Sequence, residues 1–279
     1  MSGVDHAPRR APGAALRGAP LRVAVLVSAT GSNLRTLLDM ARRAPDMVDV
    51  PLVVAHGPHA PAVEVARSAG VETWVGDYDE KCGRRSEAAA AGRIADYEAR
   101  AREWHDRLDE RIEAWERVNG RIDLVVLAYH RLIQGNLLAR YRHRMVNVHP
   151  ADLTVLTPDN RRMYVGTNPV AQALADGRRA TRTSCFFVTE GIDTGPIICM
   201  GPQTPVCADE TAKSQELRQK AMSDRPALRW AVERLAEGRI SVSTRTHRDG
   251  SHAVMLDGQE LQFGGQSLAA HEDRREDRP

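Results

Sequence analysis

Long apolar runs are missing from this sequence of 279 residues. None approaches the roughly 18 residues needed to span a bilayer, so a membrane protein is excluded. Cysteine is scarce: Cys82, Cys185, Cys199 and Cys207 are the only four, and no two form a C-x-x-C pair. That set neither staples a chain this long nor builds a zinc site, which points to reduced thiols and a cytoplasmic location. Net charge is small as well. Thirty-nine basic residues against thirty-seven acidic ones leave +2, too little for a protein that coats nucleic acid, although one local anion site fits within that average. Only Lys81, Lys213 and Lys220 are lysine. No apolar core marks residues 1–20 as a signal peptide, and no repeat recurs along the chain.

Hydrophobic residues at 42% and charged residues at 27% make an ordinary globular balance. The expected organisation is a disordered extension over 1–20, a folded region over 21–265 and a disordered charged tail over 266–279. From Leu21 to Val27 runs a short Val-rich strand, then the turn Ser28-Ala29-Thr30-Gly31, then an amphipathic helix opened by Ser32-Asn33. A second strand over 50–55, a helix over 60–69 and a third strand over 72–75 follow. Strand and helix alternating at this spacing predict an α/β fold with a mainly parallel twisted sheet, flanking helices and right-handed crossovers. Residues 84–118 carry apolar residues at intervals of three or four and predict one long helix packed on the sheet. The apolar run 124–128 predicts a buried central strand, and 145–148 another. Residues 151–165 are irregular, with a turn at Pro158-Asp159-Asn160, and a helix is expected over 169–176. Two strands over 181–189 and 197–206 should flank a turn at 191–196. Residues 209–237 predict a helix kinked at Pro226. Residues 241–263 predict a closing hairpin with turns at Asp249-Gly250 and Asp257-Gly258.

Three segments carry candidate chemistry. Thr30, Gly31, Ser32 and Asn33 lie where a strand feeds a helix, so free N–H groups and a glycine face whatever binds there. The dinucleotide fingerprint G-x-G-x-x-G is absent; a phosphate site and a plain helix cap both fit. Asn147 and His149, two residues apart at a strand end, project to one side. An amide donor beside an imidazole suits a carbonyl that must be polarised while its attacker loses a proton. Asp193, in the tight loop Thr189-Glu190-Gly191-Ile192-Asp193, reads either as a turn residue bonding its own backbone or as a carboxylate that orients His149. No metal is needed: His56 and His59 lie in a Gly/Pro turn with no third ligand near in sequence.

Taken in order, Gly31-Ser32-Asn33-Leu34, Asn147-x-His149-Pro150 and Val188-Thr189-Glu190-x-x-Asp193-x-Gly195-Pro196 resemble the glycinamide ribonucleotide formyltransferase family. The resemblance extends to Leu256-Asp257-Gly258-Gln259 in the closing hairpin. It implies a nucleotide-binding type of parallel sheet, with a phosphate-binding half over 21–128 and a folate and catalytic half over 129–265. The cosubstrate it implies is 10-formyltetrahydrofolate. Asn147, His149 and Asp193 fall on the family's catalytic asparagine, histidine and aspartate. Arg131, Leu132, Ile133, Leu127, Val188, Thr189, Glu190 and Gly191 would line the folate pocket. Thr30 to Asn33, with Arg218, would hold a phosphorylated acceptor. The partners expected are a small amine acceptor and neither nucleic acid nor membrane, in a monomer or homodimer.

The acceptor side departs from the family pattern. Ala151-Asp152-Leu153-Thr154 replaces a compact Ser-Leu-Leu-Pro loop, and an insertion continues through Tyr164. Gly166-Thr167-Asn168-Pro169 is similar to a segment of formyltetrahydrofolate deformylases. Phe186 stands in place of a histidine, and Ala221 in place of a glutamate that helps to hold the ribonucleotide. Tyr164 with Arg161 or Arg162 is therefore expected to touch the acceptor. A deformylase and a non-catalytic folate or nucleotide sensor are the alternatives; the first twenty residues are too few for the regulatory domain expected of the deformylase.

Overall fold

The computed structural model describes residues 18–28 and 30–269, together with the backbone of Arg9–Arg10. In chain order the elements begin with β1 (Arg9–Arg10), β2 (Leu21–Val27), α1 (Ser32–Arg43), β3 (Val48–Ala55), α2 (Pro61–Ser68) and β4 (Glu72–Val75). Helices α3 (Tyr78–Cys82), α4 (Arg85–Ala90) and α5 (Ile94–Asn119) lead to β5 (Leu124–Ala128), α6 (Gly135–Arg140) and β6 (Met145–His149). After the insert come α7 (Pro169–Ala175), β7 (Ala180–Thr181), β8 (Ser184–Phe187), β9 (Ile197–Met200) and β10 (Thr204–Pro205). The chain closes with α8 (Ala212–Gln219), a π turn (Lys220–Asp224), α9 (Arg225–Ala236), β11 (Ile240–Thr246), β12 (His252–Leu256), β13 (Gln259–Glu260) and β14 (Gln266–Ser267).

Eight strands form the central sheet in the order β14-β9-β8-β6-β5-β2-β3-β4. Strands β2 to β6 run parallel, as the alternation of strand and helix predicts, and β8 is antiparallel to both β6 and β9. Along β2 the side chains divide between two cores, as the twofold period of a strand requires. Val23, Val25 and Val27 join Leu34 and Leu37 of α1 and the buried face of α9, while Ala24 and Leu26 join Ile112 of α5 and Leu137 of α6. Helices thus cover both faces, which is why β2 and β5 are almost uninterrupted apolar sequence. Among the described residues no helix is long and apolar enough to cross a membrane.

Chain order reverses at β2: β3 lies on one side and β5 on the other. The crevice at the carboxyl ends of such a pair is where ligands of open α/β sheets bind. The loop containing Gly31 leaves β2 at that edge, and residues 129–133 leave β5 beside it.

Several expectations need correction. The helix predicted over 84–118 is two helices, because Gly92 at φ 66° cannot continue a right-handed helix, and α5 starts afresh at Ile94. The strand expected over 181–189 is β7 and β8, and that over 197–206 is β9 and β10; β7 and β10 pair separately with each other. The irregularity expected at Pro226 lies just ahead of it. The N–H of Arg225 reaches back five residues to the Lys220 carbonyl, so a widened turn absorbs the bond that proline cannot make. The tail does not begin at 266, since Gln266–Ser267 pair parallel with β9. Within the N-terminal extension, Arg9–Arg10 pair antiparallel with β11. Residues 1–8, 11–17 and 270–279, on which the rest of these two expectations falls, lie outside the described residues. The closing hairpin forms as read, with Asp257 and Gly258 both at positive φ in a tight turn.

Candidate active site

Strand β6 places Asn147 and His149 on one side, between Leu127 of β5 and Phe186 of β8 in register with Asn147. The amide oxygen Oδ1 of Asn147 accepts the N–H of Val148 at 2.9 Å. That fixes the amide and leaves its NH2 group as the donor. His149 is buried, and its Nε2 lies 2.7 Å from the carbonyl oxygen of Tyr164. A carbonyl only accepts, so Nε2 carries the proton and donates it. The other ring nitrogen, Nδ1, faces Oδ2 of Asp193 at 3.5 Å. The pairing read from sequence is therefore present in the fold, across 44 residues of chain.

Asp193 adopts φ 54°, unusual for a residue with a side chain. The N–H of Gly166 donates to its Oδ2 at 2.8 Å. Its carbonyl accepts from Arg162 at 2.6 Å, and the carbonyl of Gly195 accepts a second donor of the same guanidinium at 2.9 Å. Arg162 is also paired with Asp249 at 2.7 Å, with both side chains buried. Burial alone raises the Asp249 carboxyl, but donors from Ser251 and Arg162 outweigh it and hold the group below its usual range.

This geometry overturns the expectation that Arg162 and Tyr164 touch the acceptor. Both turn inward: the Tyr164 hydroxyl donates to Asp176 at 2.9 Å and accepts from Arg178 at 2.9 Å. Arg161 is exposed and pairs with Asp159 at 2.7 Å. The insert buttresses His149 and Asp193 from behind.

Gly31 at φ 78° caps α1, with no side-chain cap on the first turn. A Cβ there would lie 3.0 Å from Cβ of Ala62, so a side chain at this turn would press on α2 and require it to give way slightly. Oδ1 of Asn33 is buried with no hydrogen-bond partner. Thr30 is exposed and Ser32 half-buried. The uncapped N–H groups of a helix start carry partial positive charge, and the Asn33 oxygen lies within the same first turn.

Of the residues assigned to the folate pocket, Leu127, Ile133 and Val188 share one apolar cluster, and Leu132 is half-buried. Thr189 bonds Thr194 at 3.1 Å and closes the loop in which Glu190 and Gly191 are exposed. Arg131 turns away: its guanidinium donates to both oxygens of Asp79 at 2.6 and 2.9 Å and lies over the Tyr78 ring. Arg218 does not offer a free cation, because Glu210, Gln215 and the Pro205 carbonyl engage it.

Sequence reading named Arg162, Gly166 and Asp249 but not the contacts they make here, and did not single out Asp224. Asp224 is buried in the π turn, bonded to the Thr183 hydroxyl, and burial pushes its carboxyl up to about 6. The pairing of Arg162 with Asp249 spans 87 residues, and neither side carries a local motif. Asp249-Gly250 alone signalled a turn.

Residues 21–228 match the family model described as Formyl transferase. The chain is 34% identical over 232 residues to the phosphoribosylglycinamide formyltransferase of Mycobacterium tuberculosis, covering 82% of this chain and 91% of that protein. It is 31% identical over 197 residues to the trifunctional purine biosynthetic protein adenosine-3 of Drosophila melanogaster, covering 69% of this chain but only 12% of that much longer protein. Among solved structures, glycinamide ribonucleotide transformylase 1 from Symbiobacterium toebii superposes with a TM-score of 0.66 at 28% identity, covering 86% of this chain and 95% of its own.

Proposed function

Because this chain belongs to the formyl transferase family, we propose that it transfers the formyl group of 10-formyltetrahydrofolate to the amine of glycinamide ribonucleotide. The observation that carries the reading is the meeting of Asn147, His149 and Asp193 at the carboxyl edge of the sheet. The relatives of matching length support this acceptor. The fit also has a physical basis. Leu127, Ile133 and Val188, packed in one buried apolar cluster, would back a flat heterocycle lying against them, and the uncapped start of α1 suits the acceptor's phosphate.

Direct attack by the acceptor amine on the formyl carbon places negative charge on the former carbonyl oxygen. Asn147 donates its NH2 group to that oxygen. Its Oδ1 is already occupied by Val148, so the donor is aimed before reaction begins. The intermediate then collapses: the bond from the formyl carbon to folate N10 breaks, N10 takes up one proton to leave as tetrahydrofolate, and the attacking amine must shed one proton. His149 Nε2 is occupied by the Tyr164 carbonyl, which leaves the Nδ1 edge and the Asp193 carboxylate as the proton's destination. The 3.5 Å separation makes them a loosely coupled pair in this state.

Tetrahydrofolate release followed by absorbance tests the reading. It should require both 10-formyltetrahydrofolate and glycinamide ribonucleotide, and should vanish in His149→Ala. Release of equal rate with water alone would make the protein a deformylase; binding without turnover would make it a sensor. Turnover with another phosphorylated amine, and none with the ribonucleotide, would confine the error to the acceptor.

A further inference from the structure

We propose that Arg162 is a positioning residue for formyl transfer, holding Asp193 in place beside His149. The inference rests on the reading of His149 and Asp193 as the proton-accepting pair. Residues 155–163 fold back on themselves: Leu156 bridges Arg162, Met163 N–H reaches the Val155 carbonyl at 2.9 Å, and Thr157 N–H reaches the Arg161 carbonyl at 2.8 Å. This small hairpin drives the Arg162 side chain inward, where it is 4% exposed. There its planar fork serves three acceptors on two distant segments: the Asp249 carboxylate, the Asp193 carbonyl and the Gly195 carbonyl.

The loop being held needs such a clamp. Asp193 sits at φ 54°, which its side chain disfavours, and Ile192 beside it is exposed. Gly195 presses so closely on β8 that a Cβ would fall 1.6 Å from the Phe187 carbonyl oxygen. Three constraints then meet at the catalytic pair. Arg162 fixes the Asp193 main chain, the Gly166 N–H fixes its carboxylate, and the Tyr164 carbonyl fixes His149. All three come from residues 162–166. Lysine cannot replace the arginine, because one ammonium on a flexible stem does not reproduce the fork that spans both carbonyls and the carboxylate.

Arg162→Lys keeps the charge opposite Asp249, and the double variant Arg162→Gln/Asp249→Asn removes both charges together so that neither is left unpaired. Arg245→Ala, which breaks the exposed pair with Glu260 on the same hairpin, serves as the control. The expected result for both Arg162 variants is a folded protein whose kcat falls about 10- to 100-fold, the scale of misplacing a catalytic group. KM for 10-formyltetrahydrofolate should stay near that of the unaltered protein, as should both constants in the control. Hydrogen exchange of the Gly166 amide, measured without any substrate, should accelerate as its bond to Asp193 loosens. The proposal is overturned by an unchanged kcat or by unchanged Gly166 exchange. It is equally overturned if neither variant folds, since Arg162 would then be a core ion pair alone. Should the unaltered protein transfer no formyl group, the functional reading fails separately, and Gly166 exchange still decides whether Arg162 holds Asp193.

Discussion

Tyr164 supports His149 through its main chain and not through its phenol. The carbonyl accepts from Nε2 at 2.7 Å, whereas the hydroxyl points away to Asp176 and Arg178. Tyr164→Phe therefore keeps the contact that matters to the imidazole. It should cost about 1 kcal/mol or less of stability in a denaturant melt, since Asp176 is exposed and water replaces the lost donor, with kcat close to that of the unaltered protein. A large fall in kcat at unchanged stability would put the phenol in the reaction.

Asn147 is held by its oxygen, and this separates its shape from its chemistry. Asn147→Asp preserves the outline and the bond from Val148 but has no NH2 group to give to an oxyanion. The expected loss is about 10²- to 10³-fold in kcat, read as tetrahydrofolate release, with cosubstrate affinity little changed. If the variant works normally, another donor serves the oxyanion and the role assigned to Asn147 is wrong.

Gly31 meets two demands at once: φ 78° and the closeness of Ala62. Alanine there pays about 1–2 kcal/mol for the left-handed conformation, and its methyl group pushes α2 from the turn. Thermal melting should show that loss. In turnover assays KM for a phosphorylated acceptor should rise while KM for 10-formyltetrahydrofolate holds. An effect on the folate constant alone would move the acceptor away from this turn.

Much of this site is written in short stretches of chain. The Val-rich run of β2, the glycine that ends it and the Asn-x-His at the end of β6 are each local signals, since strand period and glycine conformation act over a few residues. Asp193 was legible because a tight turn and a match to a family pattern coincide there. What could not be read is long-range. Nothing near Arg162 says that its partner is Asp249, and nothing near Arg131 says that Asp79 captures it. The long amphipathic pattern over 84–118 continues through Gly92, so apolar period concealed a break that one backbone angle imposes.

Asp224 gives the clearest dependence on pH. Its carboxyl, ordinarily near 3.8, is pushed up to about 6, chiefly by burial, while the Thr183 hydroxyl and nearby Lys220 and His149 favour the charged form and Glu216 opposes it. Between those two values the folded protein binds a proton that the unfolded chain has released. Stability attributable to this group therefore falls as pH rises through the window and stays lower above about 6. A shift of about two units corresponds to roughly 3 kcal/mol. Asp224→Asn keeps an oxygen to accept from Thr183 but carries no charge. The variant should melt higher than the unaltered protein near pH 8, and the gain should disappear near pH 4, where both side chains are neutral. An equal gain at both values would trace the effect to packing; a loss near pH 8 would mean that the buried carboxylate is stabilised in the folded state and that its burial is not the dominant influence.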